Sequence, residues 1–575
     1  MDSRPVYGSD VIVDLLGALN IDYVACNPGA TFRGLHDSLV NYRHDIPLIE
    51  CPHEEISVAI AHGYAKATGR VMAAALHDVV GLQHASMAIY NAWCDRAPVL
   101  LLGGTGPVDA SRRRPWIDWI HAANLQADQV RHYTKWDDQP ASLHAVPESL
   151  TRAWQISMTS PRGPVYVCLD SDVQEQEIPA GFDYVAPREY AHPGLIAPDE
   201  SSIATILDWL LAASFPAIAI ESVDGLAQAS DDLAFIATTL GAAVVEPARD
   251  YGRPALCLPT AHPLNLTGAW GDLPRADAVL MIEVRDLEAV ALPVAADALI
   301  AQVGTAVLGA RAWAADLQRL QRADLVVLAS PAPVLAALRR GLEKSLAPGP
   351  SHAKRGNRIA DRVRQARVSW ETEARSAKED DTIDQAVLAV SVWDAVREQD
   401  PVLANGSLSD WAHRTWDLKT PDSYLGSSGG AGLGYGLGAS IGAALAHRDD
   451  DRLVVDLQSD GDLLMTPAAL WTAAHESLPL LIVMDNNRAY QNSVHHARLI
   501  ATTRGRDTSR AHIGTTLTDP EIDFAAMAES MGVRSFGPVS RGSELPAILR
   551  EAVSFVMTER RPALVDVRTE VRPGG

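Results

Sequence analysis

The run Val454-Val455-Asp456-Leu457-Gln458-Ser459-Asp460-Gly461-Asp462 decides how this chain is read. A strand runs into a tight acidic turn. Thr466 and Pro467 then suit the cap and first position of a helix, which continues through Leu470, Trp471 and His475. Leu480-Leu481-Ile482-Val483-Met484 follows as a buried strand and ends at Asp485-Asn486-Asn487. Both strands present their C-terminal ends to one crevice, the place where open α/β sheets bind ligands.

The chemistry of that crevice suits a diphosphate. Magnesium takes about six hard oxygen ligands and usually borrows some from phosphates. Asp460 offers a carboxylate oxygen, Asn487 an amide oxygen and Ala489 a backbone carbonyl. Gly461 lets the backbone come close, and a helix start offers N–H groups to phosphate. Asp-Gly-Asp alone reads as an ordinary acidic turn. The 27-residue step from Asp460 to Asn487, with a strand before each, turns the reading toward a metal–diphosphate site.

Outward from this region the chain of 575 residues has room for two to four domains. Hydrophobic residues are 47% and charged residues 21%, an ordinary globular mix. The formal charge of -23 disfavours nucleic acid and anionic membrane as partners. No apolar run reaches the roughly 18–20 residues of a membrane span, and the start lacks a signal-peptide pattern. Cys26, Cys51, Cys94, Cys168 and Cys257 lie far apart and read as buried thiols in a reducing cytoplasm.

Short apolar runs alternate with helical patterns from the start. Residues 21–26, 47–50, 71–76 and 99–102 read as strands. Residues 35–40, 54–68 and 85–93 read as helices, the second closed by Gly69. The unit closes near residues 163–169. A second α/β unit has strand candidates at 217–220, 243–246, 278–282 and 325–328. A polar linker with some helix spans 343–382, and a third unit runs from about 386 to a final strand at 563–567. The expectation is three doubly wound parallel-sheet α/β domains, at 1–185, 195–345 and 380–575.

In the first unit, Cys51-Pro52-His53-Glu54-Glu55 opens a helix kept slim by Ala59, Ala61, Gly63 and Ala65. A carboxylate at that start, after an apolar strand, is expected to be partly buried and to share a proton with a basic ligand nitrogen. A charge interacting with the helix dipole is the plainer reading of Glu54.

Together these segments resemble the thiamine-diphosphate (ThDP) enzyme family, in its benzoylformate decarboxylase and acetolactate synthase branch. The metal segment resembles the family's GDG…NN motif, with Ser459 in place of the first Gly. The helix resembles its HE…A.GYA.xTG signature. The resemblance implies that Asp460, Asn487 and the Ala489 carbonyl bind Mg²⁺, with Gly461 and Asp462 at the cofactor. It implies that Glu54 hydrogen-bonds the aminopyrimidine ring, whose imino form then removes the thiazolium C2 proton. The ylid so formed attacks a carbonyl carbon, and the ring acts as an electron sink. Gly429-Gly430-Ala431-Gly432-Leu433-Gly434 also matches: Leu433 would wedge between the cofactor rings, and the Ala431 carbonyl would accept from its amine. Ser407 and Ser409 match positions that bind diphosphate. A homodimer sharing each site, assembled as a homotetramer, is the implied assembly.

The substrate implied is a small carbonyl compound. His77, in Leu76-His77-Asp78, matches the branch's catalytic histidine, and imidazole suits proton relay near neutrality. His84, Ser493 and His496, with Asn492, are the other positions expected at the substrate. Departures matter: Ala30 stands where benzoylformate decarboxylase has serine, as in benzaldehyde lyase. No second catalytic histidine appears around residues 285–287. Residues 490–519, with Arg498, Arg504, Arg506 and Arg510, read as a lid or as a solvated surface. Trp116, Trp119 and His121 sit in another pocket-prone loop. The segment 218–225 lacks a tight glycine fingerprint, so neither FAD nor ADP is expected. Nonoxidative 2-oxo acid decarboxylation with carboligation ranks first. A C–C lyase on a 2-hydroxy ketone or 2-hydroxyacyl-CoA, an acetolactate-synthase-like ligase and a non-catalytic ThDP-binding protein follow.

Overall fold

The computed structural model describes residues 4–191, 193–224, 226–247, 256–306, 320–344, 349–376 and 381–570. They contain three parallel sheets flanked by helices. The first comprises β1 (Val24–Cys26), β2 (Leu48–Glu50), β3 (Met72–Leu76), β4 (Val99–Thr105), β5 (Asp137–Asp138) and β6 (Val165–Asp170), in the order β2-β1-β3-β4-β6-β5. The second comprises β7 (Pro216–Ile220), β8 (Ala243–Val245), β9 (Ala276–Ile282), β10 (Val294–Gly304) and β11 (Leu325–Leu328), in the order β11-β10-β9-β7-β8. The third comprises β12 (Val402–Asn405), β13 (Val454–Ser459), β14 (Leu480–Asn486), β15 (Arg534–Val539) and β16 (Ala563–Arg568), in the order β12-β13-β14-β16-β15. Every ladder between these strands is parallel. The doubly wound α/β class read from the sequence is thus the class observed.

The chain separates into two compact units, Met1–Ala366 with Asp417–Gly432, and Arg367–Trp416 with Leu433–Gly575. In the first unit, all of Val99–Leu102 and Val165–Leu169 are inaccessible to solvent. Strands covered on both faces read as continuous apolar runs, which is why both were legible. Val11, Ile12, Leu15 and Leu16 of the helix Gly8–Ala18 close one side of this core.

Several readings need correction. The eleven-residue β10 escaped the sequence pattern because its first half, Val-Ala-Ala-Asp, is small and partly exposed. β12 and β15 were also passed over; β15 is largely exposed and carries Gly537-Pro538, which do not read as strand. The chain turns helical at Asp460, directly after β13, and the longer helix begins at Ala469, not at Pro467. The polar stretch expected as a linker holds a 25-residue helix, Pro350–Ala374, which buries Ile359, Val363, Ala366 and Ala374 along one side. Residues 345–348 and 377–380 of it, and Gly225 of the segment 218–225, lie outside the described residues. All five cysteines are buried, and burial pushes the Cys26 and Cys168 thiols up to about 12. Among the described residues no helix is long and apolar enough to cross a membrane.

Candidate functional site

Three neighbouring strands of the first sheet deliver the first group of residues. Cys26 of β1 pairs with Glu50 of β2 and with Ala75 of β3. The segments leaving their C-terminal ends carry Gly29 and Thr31, His53 and Glu54, and His77 and Asp78. Parallel order and register therefore bring these residues to one sheet edge.

Glu54 is the first residue of the helix Glu54–Thr68 and is 3% exposed. His53 caps the helix, its Nδ1 accepting from the Glu55 N–H at 3.2 Å. Gly69 ends it with φ of +68°, a left-handed conformation that glycine adopts without strain. Glu54 Oε2 lies 3.1 Å from His84 Nδ1, and the His84 ring stacks on His53 with centroids 4.8 Å apart. Room for the carboxylate comes from Gly81: a Cβ there would lie 2.9 Å from Glu54 Oε1. The Gly81 N–H also donates to the His77 carbonyl at 2.8 Å. One glycine thus fits both the buried acid and the turn that bears His77.

His77 Nδ1 is 2.9 Å from Thr31 Oγ1, and its ring lies 5.5 Å from that of His121. Burial, then His121, holds its imidazole below the ordinary value. Asp78 is buried beside it, and desolvation pushes its carboxyl up to about 7. The sequence reading missed Asp78 and Thr31, whose signal is only their adjacency to His77 and to Gly29. His121 was noted for its loop, and the structure moves it to His77. The tryptophans of that loop go elsewhere: Trp116 is exposed, and Trp119 lines a cavity of about 640 Å³ with Arg113 and Asn124.

The Gly-rich loop is bolted to the helix Asp78–Cys94. The Asn91 side chain donates to the Gly432 carbonyl at 3.1 Å and accepts from the Gly432 N–H at 3.2 Å. Gly429 N–H donates to Asp95 at 2.8 Å. Ala431 has φ of +52°, a conformation that costs a residue with a side chain.

The second unit carries the other predicted residues. Ser459 of β13 pairs with Asp485 of β14, so Asp460 and Asn487 leave the same sheet edge. Asp460 is buried, and Asp460 Oδ1 accepts from the Gly461 N–H at 2.7 Å. Its Oδ2 is buried without a hydrogen-bond partner. Burial raises this carboxyl to about 6, with Asp485 adding to the rise. A dry carboxylate with an orphaned oxygen is a place prepared for a cation. Asn487 Oδ1 accepts from the Ala489 N–H at 3.0 Å, so the amide oxygen and the Ala489 backbone stand together. These donors fit magnesium.

Two further contacts surround this turn. The close approach at Gly461 is made by Tyr490, whose ring would be 2.5 Å from a Cβ. The Asp462 carboxylate accepts from the Gly-rich loop's backbone, Gly434 N–H at 2.8 Å and Gly436 N–H at 3.0 Å, and from the Gln458 side chain, Nε2 at 2.7 Å. Ser407 is buried and Ser409 exposed. Leu408, Ser409 and Asp410 are three successive residues with positive φ (+53°, +53°, +67°), following Gly406 at +78°. Left-handed turns of this kind gather backbone N–H groups into an anion-binding concavity. Leu433 keeps 42% of its surface exposed, although it is apolar. Asn492, Ser493 and His496 lie on the exposed side of the helix Gln491–Thr503, and only Val494 of that helix is buried.

Fold and site together define a doubly wound α/β protein with a buried carboxylate, Glu54, in one unit and a buried candidate cation ligand, Asp460, in the other. Residues 6–138 match the thiamine pyrophosphate enzyme N-terminal TPP binding domain, and residues 404–567 match the C-terminal TPP binding domain. The two matches together cover more than half of the chain, and it belongs to the thiamine pyrophosphate enzyme family. It is 26% identical to benzoylformate decarboxylase of Pseudomonas aeruginosa over 562 residues, covering 95% of each chain. It is 24% identical to a probable acetolactate synthase large subunit of Methanocaldococcus jannaschii over 606 residues, covering 99% of this chain and 94% of that one. In fold it is similar to a ThDP-dependent 4-hydroxybenzoylformate decarboxylase of Rhodococcus jostii, with a TM-score of 0.77 at 21% identity, covering 98% of this chain and 99% of that one.

Proposed function

We propose that the protein is a ThDP- and Mg²⁺-dependent enzyme that breaks or makes a carbon–carbon bond beside a carbonyl, and that it acts first as a nonoxidative 2-oxo acid decarboxylase with carboligase activity. The observation that carries this is the buried Glu54 sharing one glycine-carved edge with His77. A protein that merely stored the cofactor has no need of a desolvated acid and a proton-carrying imidazole side by side.

When bound, the cofactor supplies a nucleophilic carbon for the carbonyl and a sink for the electrons of the broken bond. The chain's own part is to bind, orient and move protons. Asp460, Asn487 and the Ala489 carbonyl would hold Mg²⁺ and, with Ser407 and the left-handed turn, the diphosphate. Asp462 serves by fixing the Gly-rich loop that carries Leu433. Glu54 keeps an acid in a dry place, oriented by His84 Nδ1 at 3.1 Å. His77 has Nδ1 engaged by Thr31, which leaves Nε2 as its proton-exchanging nitrogen. The separation of acid and metal site into two units accords with a homodimer sharing each site, doubled into a homotetramer. Domains at 1–185, 195–345 and 380–575 and a cytoplasmic setting complete the reading, with no FAD or ADP.

The test is product analysis. Purified protein with ThDP and Mg²⁺ is given pyruvate, benzoylformate, benzoin and a 2-hydroxyacyl-CoA. Release of CO₂ and an aldehyde from a 2-oxo acid, lost in Glu54→Gln, is the expected result. Aldehyde from benzoin or the acyl-CoA without CO₂ would replace decarboxylase by lyase, the reading favoured by Ala30. Acetolactate from pyruvate would favour the ligase, in line with the acetolactate synthase relative.

A further inference from the structure

Glu54 and His77 each belong to a group of two histidines and one carboxylate. In each group the ligating atoms, one per residue, all lie within 4.8 Å of one another. The two groups differ in how far those atoms are already used. In His53, Glu54 and His84, Glu54 Oε2 faces His84 Nδ1 at 3.1 Å, and His53 Nδ1 accepts from the Glu55 N–H at 3.2 Å. In His77, Asp78 and His121, both Asp78 Oδ1 and His121 Nδ1 are buried without a hydrogen-bond partner. Each such orphan costs on the order of 1–3 kcal/mol until something satisfies it.

The second group is also held in place. Thr31 Oγ1, 2.9 Å from His77 Nδ1, orients the His77 ring. His121 ends the helix Ile117–His121, which Arg114 fixes at Asp118 through its backbone N–H at 2.6 Å and its guanidinium at 2.7 Å. Gly106 admits that anchor, since a Cβ there would lie 2.7 Å from the Asp118 Cβ. Asp78 keeps a φ of +46°, a conformation that persists only where the surroundings impose it. Trp119 and Ala122, close to His121 in the chain, line the cavity of about 640 Å³, which offers an ion its route.

We propose that His77, Asp78 and His121 bind a transition-metal ion of the zinc class, and that the bound ion silences His77. Three atoms no more than 4.8 Å apart leave a point within about 2.8 Å of all three, so reaching zinc–nitrogen and zinc–oxygen bonds of about 2.0–2.1 Å takes shifts of about 0.7 Å. Two imidazoles and a carboxylate suit zinc and leave its fourth position open. Magnesium prefers an all-oxygen set, so ligand type sends it to Asp460 and zinc to this group. Silencing follows from the count of lone pairs. A neutral imidazole has one, and its other nitrogen carries hydrogen. Once that pair is given to a metal, His77 cannot accept a proton, whichever ring nitrogen binds.

The silencing rests on the proposed role of His77, whereas binding is tested without substrate. Co²⁺, which substitutes for zinc and absorbs visible light, is titrated into ThDP-loaded protein with Mg²⁺ in excess. Absorption bands that saturate at one ion per chain and are bleached by Zn²⁺ are expected. They are expected to be lost in His121→Ala and in His121→Phe, which keeps a ring in place, with ThDP retention as the check on folding. They are expected to persist in His84→Ala. No bands in the wild type, bands unchanged in the His121 variants, or bands lost in His84→Ala overturn the site. The second arm is turnover of benzoylformate. Zn²⁺ is expected to lower kcat, and a zinc-selective chelator to restore it. Half-inhibition of His121→Phe is expected to need about 100-fold more Zn²⁺, because even an outer-shell partner is worth about 10–100-fold in metal affinity. Saturation of the site with kcat unchanged overturns the silencing. If the wild-type protein is inert toward benzoylformate, the substrate reading has failed and the Co²⁺ arm alone decides the site.

Discussion

Gly81→Ala separates catalysis from stability more sharply than any substitution of a charged residue. The new Cβ would stand 2.9 Å from Glu54 Oε1, 3.1 Å from Glu54 Cγ and 3.2 Å from the Leu76 carbonyl carbon. An ordinary C···O contact is about 3.3–3.6 Å, so the carboxylate must retreat by about 0.5 Å. It is the end of a side chain and yields more easily than backbone. Such a retreat stretches the 3.1 Å bond to His84 and moves the acid away from the pyrimidine's place. Misplacement on this scale costs on the order of 10–10² in rate. Gly81 sits inside the helix Asp78–Cys94, where alanine in place of glycine gains about 1 kcal/mol. That gain offsets most of the overpacking, which costs roughly 1–3 kcal/mol. We expect kcat to fall about 10–100-fold while the apoprotein Tm moves by only a few degrees. Differential scanning calorimetry and steady-state kinetics on the same preparation decide. An unchanged kcat would refute the claim that Glu54 needs this position. A large drop in Tm with kcat preserved would show that the backbone at Leu76, not the acid, absorbs the clash.

Asp456 is fully buried and raised to about 7 by desolvation from 3.8. A raised carboxyl binds its proton in the folded state, so stability falls as pH rises from about 4 to 7, by up to about 4 kcal/mol. Asp456→Asn should abolish that fall, and urea melts at pH 5 and pH 8 will show it. Asp460→Asn should make the apoprotein more stable above pH 6, since it removes a buried carboxylate whose Oδ2 lacks a partner. The same variant should lose Mg²⁺-dependent ThDP retention, measured by gel filtration and cofactor fluorescence. Retention equal to wild type would remove Asp460 from the metal site. Asn91→Ala breaks both bonds to Gly432 and should cost about 1–3 kcal/mol in thermal unfolding, with weaker ThDP binding by titration calorimetry.

The sequence showed most where burial is two-sided. β3, β4, β13 and β14 are buried almost throughout, open on apolar runs and end in chemically loaded turns, so the fold class could be read and a metal segment proposed from the same stretches. The helix Glu54–Thr68 was legible to the residue because Gly69 ends it. β10 and β15 were not, because an exposed strand carries no continuous apolar run. The polar surroundings of His77 were invisible for another reason. Thr31 and His121 meet it through sheet order and loop return, and no fixed spacing along the chain encodes either; Asp78 is its neighbour in sequence, but nothing there announces its burial. Asp462 was read at the cofactor because it belongs to a motif, and nothing in the sequence signals that its carboxylate also accepts from the backbone of Gly434 and Gly436.

The turn at Leu408–Asp410 has a consequence for how the protein is loaded. Three side-chain-bearing residues in a row hold a conformation each would avoid in a free peptide, at roughly 1–3 kcal/mol apiece. That energy is drawn from the surrounding packing when the chain folds, before any ligand arrives. The anion proposed for this turn would find it already wound, and none of its own affinity would be consumed in winding the loop. Occupancy should therefore be limited by diffusion and cation supply rather than by a slow rearrangement here.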